Sequence, residues 1–301
     1  MNISGILLMI INILKQWLKA GYIDHKTWFP TESGTPQGGI ISPTIANMVL
    51  DGLEKEITRK ACPTQYCNGR WHNPLKVHFI RYADDFVVTC ANRDYLENQI
   101  KPLVGNFLAQ RGLKLSQEKS KITHINEGFD FLGFNIRKYK GKCLTKPKKG
   151  SVKSIYSSIR ECVNKNKSAS QRELILRIKP KITGWTNFYR HAASKRTFAL
   201  MDNKLFRLLW KWAKRRHPNK NLHWIKAKYF KIAGKRHWVF MASDKKRQIE
   251  LPRFDATKII RHVKIMAKAN PYDHDWQGYF EERRKRQFVN SRNISKFSHA
   301  N

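Results

Sequence analysis

Acidic side chains are scarce in this sequence of 301 residues, and the shortage is uneven. The chain has 59 lysines and arginines against 22 aspartates and glutamates, which gives a formal net charge of +37. Residues 1–136 hold 15 basic and 12 acidic side chains, whereas residues 137–301 hold 44 basic and 10 acidic ones. So much charge of one sign repels itself unless a polyanion neutralises it. Solubility alone does not require this bias, and the second segment predicts binding to nucleic acid.

Long hydrophobic runs and a regular cysteine framework are also missing. The apolar stretch at residues 3–14 is too short to cross a bilayer, and no basic residue precedes it as in a secretory signal. We therefore expect a buried helix there and no membrane partner. The five cysteines are irregularly spaced, which excludes a disulfide scaffold and favours a reducing compartment. Cys62, Cys67 and His72 could ligate zinc, but a fourth ligand is not evident.

Hydrophobic spacing predicts an α+β chain. Helical periodicity and β-branched or aromatic runs, bounded by Gly and Pro, mark the elements. The predicted helices cover 3–20, 43–60, 94–111, several segments from about 154 onward, and 254–269. The predicted strands cover two flanks within 77–88, the pair 129–133 and 134–139, and two short strands around Trp238 within 229–252. Residues 137–153 hold eight basic side chains and no acidic one, which favours a linker or strand bend that touches phosphate.

Two adjacent aspartates, Asp84 and Asp85, fall between β-prone flanks in the sequence FIRYADDFVV. Carboxylates this close repel each other unless a cation joins them. Magnesium prefers such oxygen ligands, and polymerases use two metal ions to activate the attacking hydroxyl and stabilise the leaving pyrophosphate. Aspartate is also common in ordinary turns, so the pair by itself favours a plain turn.

The context of the aspartates resembles reverse transcriptases of the group II intron maturase kind. GTPQGGIISPTIANMVLDGLE resembles the segment that lines the nucleotide pocket, and FIRYADDFVV resembles the catalytic hairpin. GLKLSQEKSKITHI and FDFLGFNIR resemble the next two blocks, the second of which forms the primer grip. TGWTNFYR, at residues 183–190, resembles the core of the maturase-specific region. The blocks follow the family's order over nearly the whole chain.

The resemblance implies a fold, a domain order and a set of partners. A partial polymerase palm, a small antiparallel sheet with helices, would cover residues 1–145. A mainly helical, basic thumb and maturase domain would cover 146–290, and 291–301 would be a frayed tail. The implied cofactor is Mg²⁺ in a two-metal site. The implied partners are group II intron RNA, target DNA and an N-terminal reverse-transcriptase half in trans, in the bacterial cytoplasm or an organelle's matrix or stroma.

The resemblance also assigns roles to individual residues. Asp84 and Asp85 would bind the metals, and Lys119 would meet the leaving pyrophosphate unless it is only a solvated lysine at a helix end. The nucleotide and the primer end would meet Pro36, Gln37, Gly38, Tyr82 and Ala83. The primer grip would comprise Leu132, Gly133 and Phe134, for which a plain β-turn is the alternative. The RNA contacts would be Arg190, Lys195, Arg196, Arg207, Lys211, Lys214, Arg215 and Arg216.

The sequence departs from the family at both ends. The fingers and the strand that carries a third metal-binding aspartate would precede Gly34, where only 33 residues stand. Neither Asp24 nor Asp51 lies on a strand-like run. We therefore expect that the chain alone does not polymerise DNA. No CxxC motif occurs, so we also expect no zinc-dependent DNA-cutting domain.

Three hypotheses about function stay open at this point. The chain is a polymerase fragment that becomes active when its missing half is supplied, a non-catalytic maturase that binds intron RNA, or a degenerate gene product. The intact YADD, PQG and FLGF motifs weigh against the third hypothesis. The basic segment favours RNA binding under either of the first two.

Overall fold

A computed structural model describes residues 3–24, 27–30, 42–61, 65–67, 70–244, 247–260, 264–266 and 269–285. The chain forms two compact units, Met1–Thr123 and His124–Asn301, and each has its own hydrophobic core. The domain boundary predicted after residue 145 stays a prediction. Within the described ranges, no helix is long and apolar enough to cross a membrane.

The first unit combines helices with antiparallel hairpins. Its elements are α1 (Ile3–Lys19), β1 (Tyr22–Asp24), β2 (Thr27–Phe29), α2 (Ser42–Val49), α3 (Leu53–Ala61), β3 (Gln65–Cys67), β4 (Arg70–His72), β5 (His78–Tyr82), β6 (Asp85–Thr89), α4 (Arg93–Tyr95) and α5 (Lys101–Ala109). A π-helical turn, Leu96–Ile100, joins α4 to α5 without a break. The strands pair as β1–β2, β3–β4 and β5–β6. Leu53, Ile57 and Val104 are buried at the centre of the core.

Two predictions for the first unit need correction. The helix predicted over 43–60 is two helices, because Gly52 between them has a φ of +85°, which interrupts the helical hydrogen bonds. The helix predicted over 3–20 is confirmed by α1, but its described side chains are not buried, and Trp17 is 51% exposed. The end of this helix is fixed by the Trp28 indole, which donates to the Ala20 carbonyl at 3.0 Å.

The second unit packs helices around an aromatic-rich core and adds two three-stranded antiparallel sheets. Its elements are β7 (Phe129–Phe131), β8 (Phe134–Tyr139), β9 (Lys142–Pro147), α6 (Lys149–Lys165), α7 (Gln171–Tyr189), α8 (Lys195–Arg216), α9 (Leu222–Tyr229), β10 (Phe230–Ala233), β11 (Arg236–Asp244) and β12 (Arg247–Glu250). The strand orders are β7-β8-β9 and β10-β11-β12. Helix α7 begins at a capping sequence in which the Ser170 side chain accepts from the Glu173 backbone N–H. Leu174, Phe198 and Phe254 are buried completely in the core.

Of the two alternatives predicted for residues 137–153, a linker or a strand bend, the linker is wrong. Strand β8 runs to Tyr139, the chain reverses at Lys140 and Gly141, and β9 returns before α6 begins. Both turn residues have positive φ, 45° and 81°, which is the type I′ geometry that suits twisted hairpins. The basic side chains of this segment therefore lie on ordered strands. The region around Trp238 also differs from prediction, since it contains three strands instead of two.

The helix predicted over 254–269 is wrong, because its described residues are irregular. Their backbone groups bond to a neighbouring helix instead of to each other. The Asp202 carboxylate of α8 accepts from the backbone N–H groups of Phe254 and Asp255 at 2.8 and 2.9 Å. The Lys195 ammonium donates to the Asp255 carbonyl. These side chains satisfy the backbone as a helical turn otherwise would.

Candidate active-site hairpin and nucleic-acid interface

The hairpin predicted around the two aspartates is confirmed. Strands β5 and β6 pair in register up to Tyr82 and Asp85, which leaves Ala83 and Asp84 as a two-residue turn. Ala83 has a φ of +54°, positive at the first turn position only, as in a type II′ turn where glycine is usual. A non-glycine residue in this conformation costs about 1–2 kcal/mol. The hairpin therefore holds Asp84 on a strained turn and Asp85 at the first position of β6.

One face of the hairpin is anchored to the first unit's core. Phe79 and Phe86 lie with ring centroids 5.7 Å apart, and both pack against the buried cluster. On the same face, Arg81 donates from Nη1 to the Asn47 side chain of α2 at 3.0 Å and to the Ala83 carbonyl at 3.1 Å. The guanidinium thus ties the turn to a helix.

The other face of the hairpin is open. Tyr82 and Asp85 are directly opposite in the register, so their side chains lie on one face of the strand pair. Tyr82 is 66% exposed, and Ile80 on the same face is 55% exposed. Among the described residues, no basic group lies within ion-pair distance of Asp84 or Asp85. This face presents the Asp85 carboxylate beside the Tyr82 ring, and the Asp84 carboxylate is exposed in the adjoining turn.

The donor chemistry of this face fits a hard divalent cation. Both carboxylates are exposed and supply oxygen ligands, the type that such ions prefer. In the part of the chain that the structure describes, no three His, Cys, Asp or Glu side chains are grouped to hold a metal ion. Asp84 and Asp85 would therefore be two ligands of a site that needs others.

The remaining predicted nucleotide contacts are only partly described. Lys119 lies exposed in a turn over 117–119 and not at a helix end, and the described structure shows no ion pair between it and either aspartate. Pro36, Gln37 and Gly38 lie outside the described residues. The same holds for Cys62, one of the candidate zinc ligands, and for the side chains of Cys67 and His72.

The predicted primer-grip residues form a second tight turn, in the second unit. Phe131 pairs with Phe134, which leaves Leu132 and Gly133 as a two-residue turn between β7 and β8. Their φ values are 47° and 82°, again the type I′ pattern. Leucine is unusual at the first position, where asparagine or glycine is preferred, and its side chain is 38% exposed. Strain of this kind clusters at functional sites.

Helix α7 clamps this turn through residues that the sequence did not single out. The Tyr189 hydroxyl lies 2.9 Å from the Gly133 carbonyl, to which it donates, and 2.7 Å from the Ser151 hydroxyl. Phe188 stacks on Phe134 with ring centroids 5.2 Å apart. A Cβ added at Gly133 would lie 3.3 Å from the Tyr189 oxygen, so the glycine also permits close approach. The aromatic spacing in TGWTNFYR was the available signal for this contact.

The predicted RNA-contact residues, at the end of α7 and on α8, differ in how far the fold itself uses their charges. Lys195 and Arg216 stabilise the fold: the first donates to the Asp255 carbonyl, and the second donates to the carbonyls of Lys167 and Ala169. Arg190 ends α7, and its Nε is buried without a hydrogen-bond partner in the described structure. The others are exposed and make no ion pair within the described chain; they are Arg196, Arg207, Lys211, Lys214 and Arg215.

Comparison with protein families assigns both parts of the chain. Residues 3–136 match the family "Reverse transcriptase (RNA-dependent DNA polymerase)". Residues 152–230 match "Group II intron, maturase-specific domain". Both parts of the chain are therefore homologous to group II intron-encoded proteins. The mixture of helices and small antiparallel sheets agrees with a partial reverse-transcriptase palm followed by a helical domain.

Relatives come from bacteria and yeast. The group II intron-encoded protein LtrA of Lactococcus lactis subsp. cremoris is 27% identical over 225 residues, which covers 54% of this chain and 37% of LtrA. Protein YkfC of Escherichia coli is 28% identical over 148 residues, covering 42% of this chain and 38% of YkfC. A COX1/OXI3 intron 1 protein of Saccharomyces cerevisiae is 30% identical over 166 residues, which covers 42% of this chain and 20% of the yeast protein. The chain thus spans less than two-fifths of each relative.

The two family matches meet within the second unit. Gly133 belongs to the end of the reverse-transcriptase match, and Tyr189 belongs to the maturase-specific domain. Their hydrogen bond joins the two matches. The turn at Leu132 and Gly133 is therefore supported by a helix of the maturase-specific match.

Proposed function

We propose that this chain is the maturase part of a group II intron-encoded reverse transcriptase, and that its second unit binds structured intron RNA and assists splicing. The row of unpaired cations on α8, within the maturase-specific match, carries this proposal. RNA helices are recognised mainly through phosphates and 2′-hydroxyls, which dispersed lysines and arginines suit. LtrA and the yeast relative, whose names tie them to introns, support the partner.

The hairpin supports a second part of the same function. We infer that Asp84 and Asp85 supply two ligands of a polymerase site that becomes complete when a further reverse-transcriptase segment provides a third carboxylate. Reverse transcriptases use divalent metal ions, and Mg²⁺ is the ion proposed here. When bound, such ions activate the attacking hydroxyl and stabilise the leaving pyrophosphate.

The other site residues have proposed roles around that chemistry. Lys119 would contact the pyrophosphate, and Tyr82 would contact the primer end. The turn at Leu132 and Gly133 would position the primer strand. Target DNA is a further proposed partner. The proposed location is that of the intron transcript, a bacterial cytoplasm or an organelle.

The test compares RNA binding with DNA synthesis in one set of proteins. The purified chain is titrated with a group II intron RNA and with an unrelated structured RNA of equal length, over a range of salt. We expect tighter and salt-steep binding to the intron RNA. The variant Asp84→Asn/Asp85→Asn should bind equally well, but should abolish primer extension in Mg²⁺ when the N-terminal half of a relative is supplied. The single variant Asp94→Asn, at an exposed aspartate on α4, serves as the control for extension.

Three outcomes would contradict parts of the proposal. Equal affinity for both RNAs would leave only a generic polyanion binder. Robust synthesis by the isolated chain would show that no further carboxylate is needed. Unchanged extension by the double variant would remove the aspartates from the catalytic site.

A further inference from the structure

A cleft of about 400 Å³ lies between α6 and α8 in the maturase-specific domain. Helix α6 and the residues after it contribute Tyr156, Arg160 and Lys167, and α8 contributes Lys211, Trp212 and Arg215. On α6, positions 156 and 160 lie one turn apart on one stripe, and Lys167 follows the end of the helix; positions 211 and 215 form a stripe on α8. The two stripes face each other across the cleft.

The cleft carries four cations without a compensating anion. In the described chain, none of Arg160, Lys167, Lys211 and Arg215 forms an ion pair with a carboxylate. The acid next to Arg160 in sequence, Glu161, pairs with Lys165 of the same helix at 2.7 Å. Four like charges around one concave surface favour an anion, since the cleft walls focus their field.

The cleft is preformed and not assembled from loose side chains. Trp212 is only 4% exposed, and its indole nitrogen donates to the Asn166 carbonyl at 3.3 Å. Arg216 donates to the Lys167 carbonyl at 3.1 Å, which ties the segment after α6 to the end of α8. The Arg216 guanidinium also lies 4.9 Å from the Trp212 ring centroid. A fixed cavity of this size is in the range of sites for small ligands or for a single residue of a larger one.

An aromatic wall distinguishes the cleft from a simple phosphate patch. Tyr156 lines it half-buried, and the Lys204 ammonium lies 5.3 Å from the Tyr156 ring centroid. Cations with an adjacent aromatic ring are the combination that binds single-stranded nucleic acid, where phosphates meet Lys and Arg and bases stack on rings. The phosphates of a duplex lie on a convex surface, whereas a concave cleft admits a nucleotide that has left the helix.

We propose that this cleft binds one unpaired nucleotide of the intron RNA, with the phosphate held by Arg160, Lys211 and Arg215 and the base placed against Tyr156. The inference rests on the proposed function, because it specifies how the maturase-specific domain meets its RNA. It adds the cleft-facing stripe of α6 to the interface, whereas the individual RNA contacts predicted from the sequence lie at the end of α7 and on α8. The ligand class is a single-stranded ribonucleotide segment, and the sequence of bases is not specified.

The experiment measures binding of a fluorescent single-stranded oligouridylate to the full chain by anisotropy, with group II intron RNA in a parallel titration. The cleft variant is Arg160→Gln/Lys211→Gln/Arg215→Gln. The matched control, Lys101→Gln/Lys179→Gln/Lys235→Gln, removes the same charge from exposed positions outside the cleft. We expect the cleft variant to lose at least tenfold in affinity for the oligonucleotide relative to the control. The slope of log K against log salt should also fall in magnitude by about 0.7, because one phosphate contact on a single strand is lost.

Tyr156→Leu separates stacking from charge. It should weaken oligonucleotide binding about fivefold or more without changing the salt slope, because a ring contributes to stacking and not to counterion release. Photocrosslinking of the unmodified chain to an oligonucleotide that contains 4-thiouridine should label the peptide around Tyr156. This readout does not depend on how any variant folds.

The outcomes separate this inference from the proposed function. If the chain prefers intron RNA but the two triple variants lose equal affinity, or if crosslinks fall outside α6 and α8, the cleft is not the site. If the chain shows no preference for intron RNA while the cleft effects remain, the cleft binds single strands and the maturase proposal fails.

Discussion

At the scale of single residues, two tight turns carry the chemistry-bearing motifs, and each contains a non-glycine residue at positive φ. Ala83 and Leu132 have φ values of +54° and +47°. The sequence predicted both turns because β-branched and aromatic runs flanked them. It did not predict how the second turn is held, since the hydroxyl of Tyr189, which bonds Gly133, comes from 56 residues further along the chain.

Replacing Tyr189 with phenylalanine tests that support. The change removes a hydroxyl that bonds both the Gly133 carbonyl and Ser151, so we expect a loss of about 1–3 kcal/mol in the free energy of unfolding. Urea unfolding followed by tryptophan fluorescence provides the measurement. Tyr139→Phe is the matched control, because the described structure gives the Tyr139 hydroxyl no hydrogen bond. Equal losses in the two variants would show that the Tyr189 hydroxyl does not support the turn.

At the scale of elements, helices with a regular apolar stripe were predictable, and segments held by distant side chains were not. The stripes of α7 and α8 reflect local burial, which periodicity records directly. Residues 254–260 also contain apolar side chains, but their backbone is held by Asp202 and Lys195 of α8. No local pattern reports a hydrogen bond of this kind. The strand β9 after Tyr139 was not predicted, because its many lysines left a linker and a strand bend as equal alternatives.

The contact between Asp202 and the backbone of Phe254 and Asp255 should make the free energy of unfolding depend on pH. Burial raises the pKa of Asp202 to about 6, although the two backbone N–H groups that it accepts and the nearby Arg253 oppose the rise. An aspartate in an unfolded chain has a pKa of about 3.9, so the folded protein binds this proton more tightly. The stability that the carboxyl contributes is therefore complete below about pH 4 and is lost as pH rises to about 6.

The variant Asp202→Asn should remove that dependence. It cannot ionise, and its side-chain amide can accept only one of the two backbone N–H groups, so it should be less stable than the parent at pH 4. The difference in urea midpoint between the parent and the variant should narrow from pH 4 to pH 7, because only the parent loses stability through ionisation of residue 202. Asp275→Asn, at an exposed aspartate of the same unit, controls for the general effect of removing a carboxylate. A difference in urea midpoint that widens as pH rises would contradict a raised pKa of Asp202.

At the scale of the whole molecule, the uneven charge was the most informative feature of the sequence. Residues 137–301, which include the maturase-specific match, hold 44 basic and only 10 acidic side chains. Where those charges gather could not be read from composition. The cleft between α6 and α8 arises because two helices that are remote in sequence bring their basic stripes together.

This charge should make the stability of the second unit depend on anions. Six of the nine tryptophans lie in this unit, so fluorescence melting reports mainly on it. Raising sodium chloride from 50 to 500 mM, about a threefold reduction of the screening length, should raise the melting temperature by weakening self-repulsion. Intron RNA at low salt should also raise the melting temperature. At a free RNA concentration of a hundred times Kd, binding adds about 2.7 kcal/mol to the free energy of unfolding. A melting temperature that falls with salt would show that the basic side chains are already compensated within the fold. Stabilisation by chloride but not by RNA would show that the charge is screened without a site, which separates a general polyanion surface from a built RNA interface.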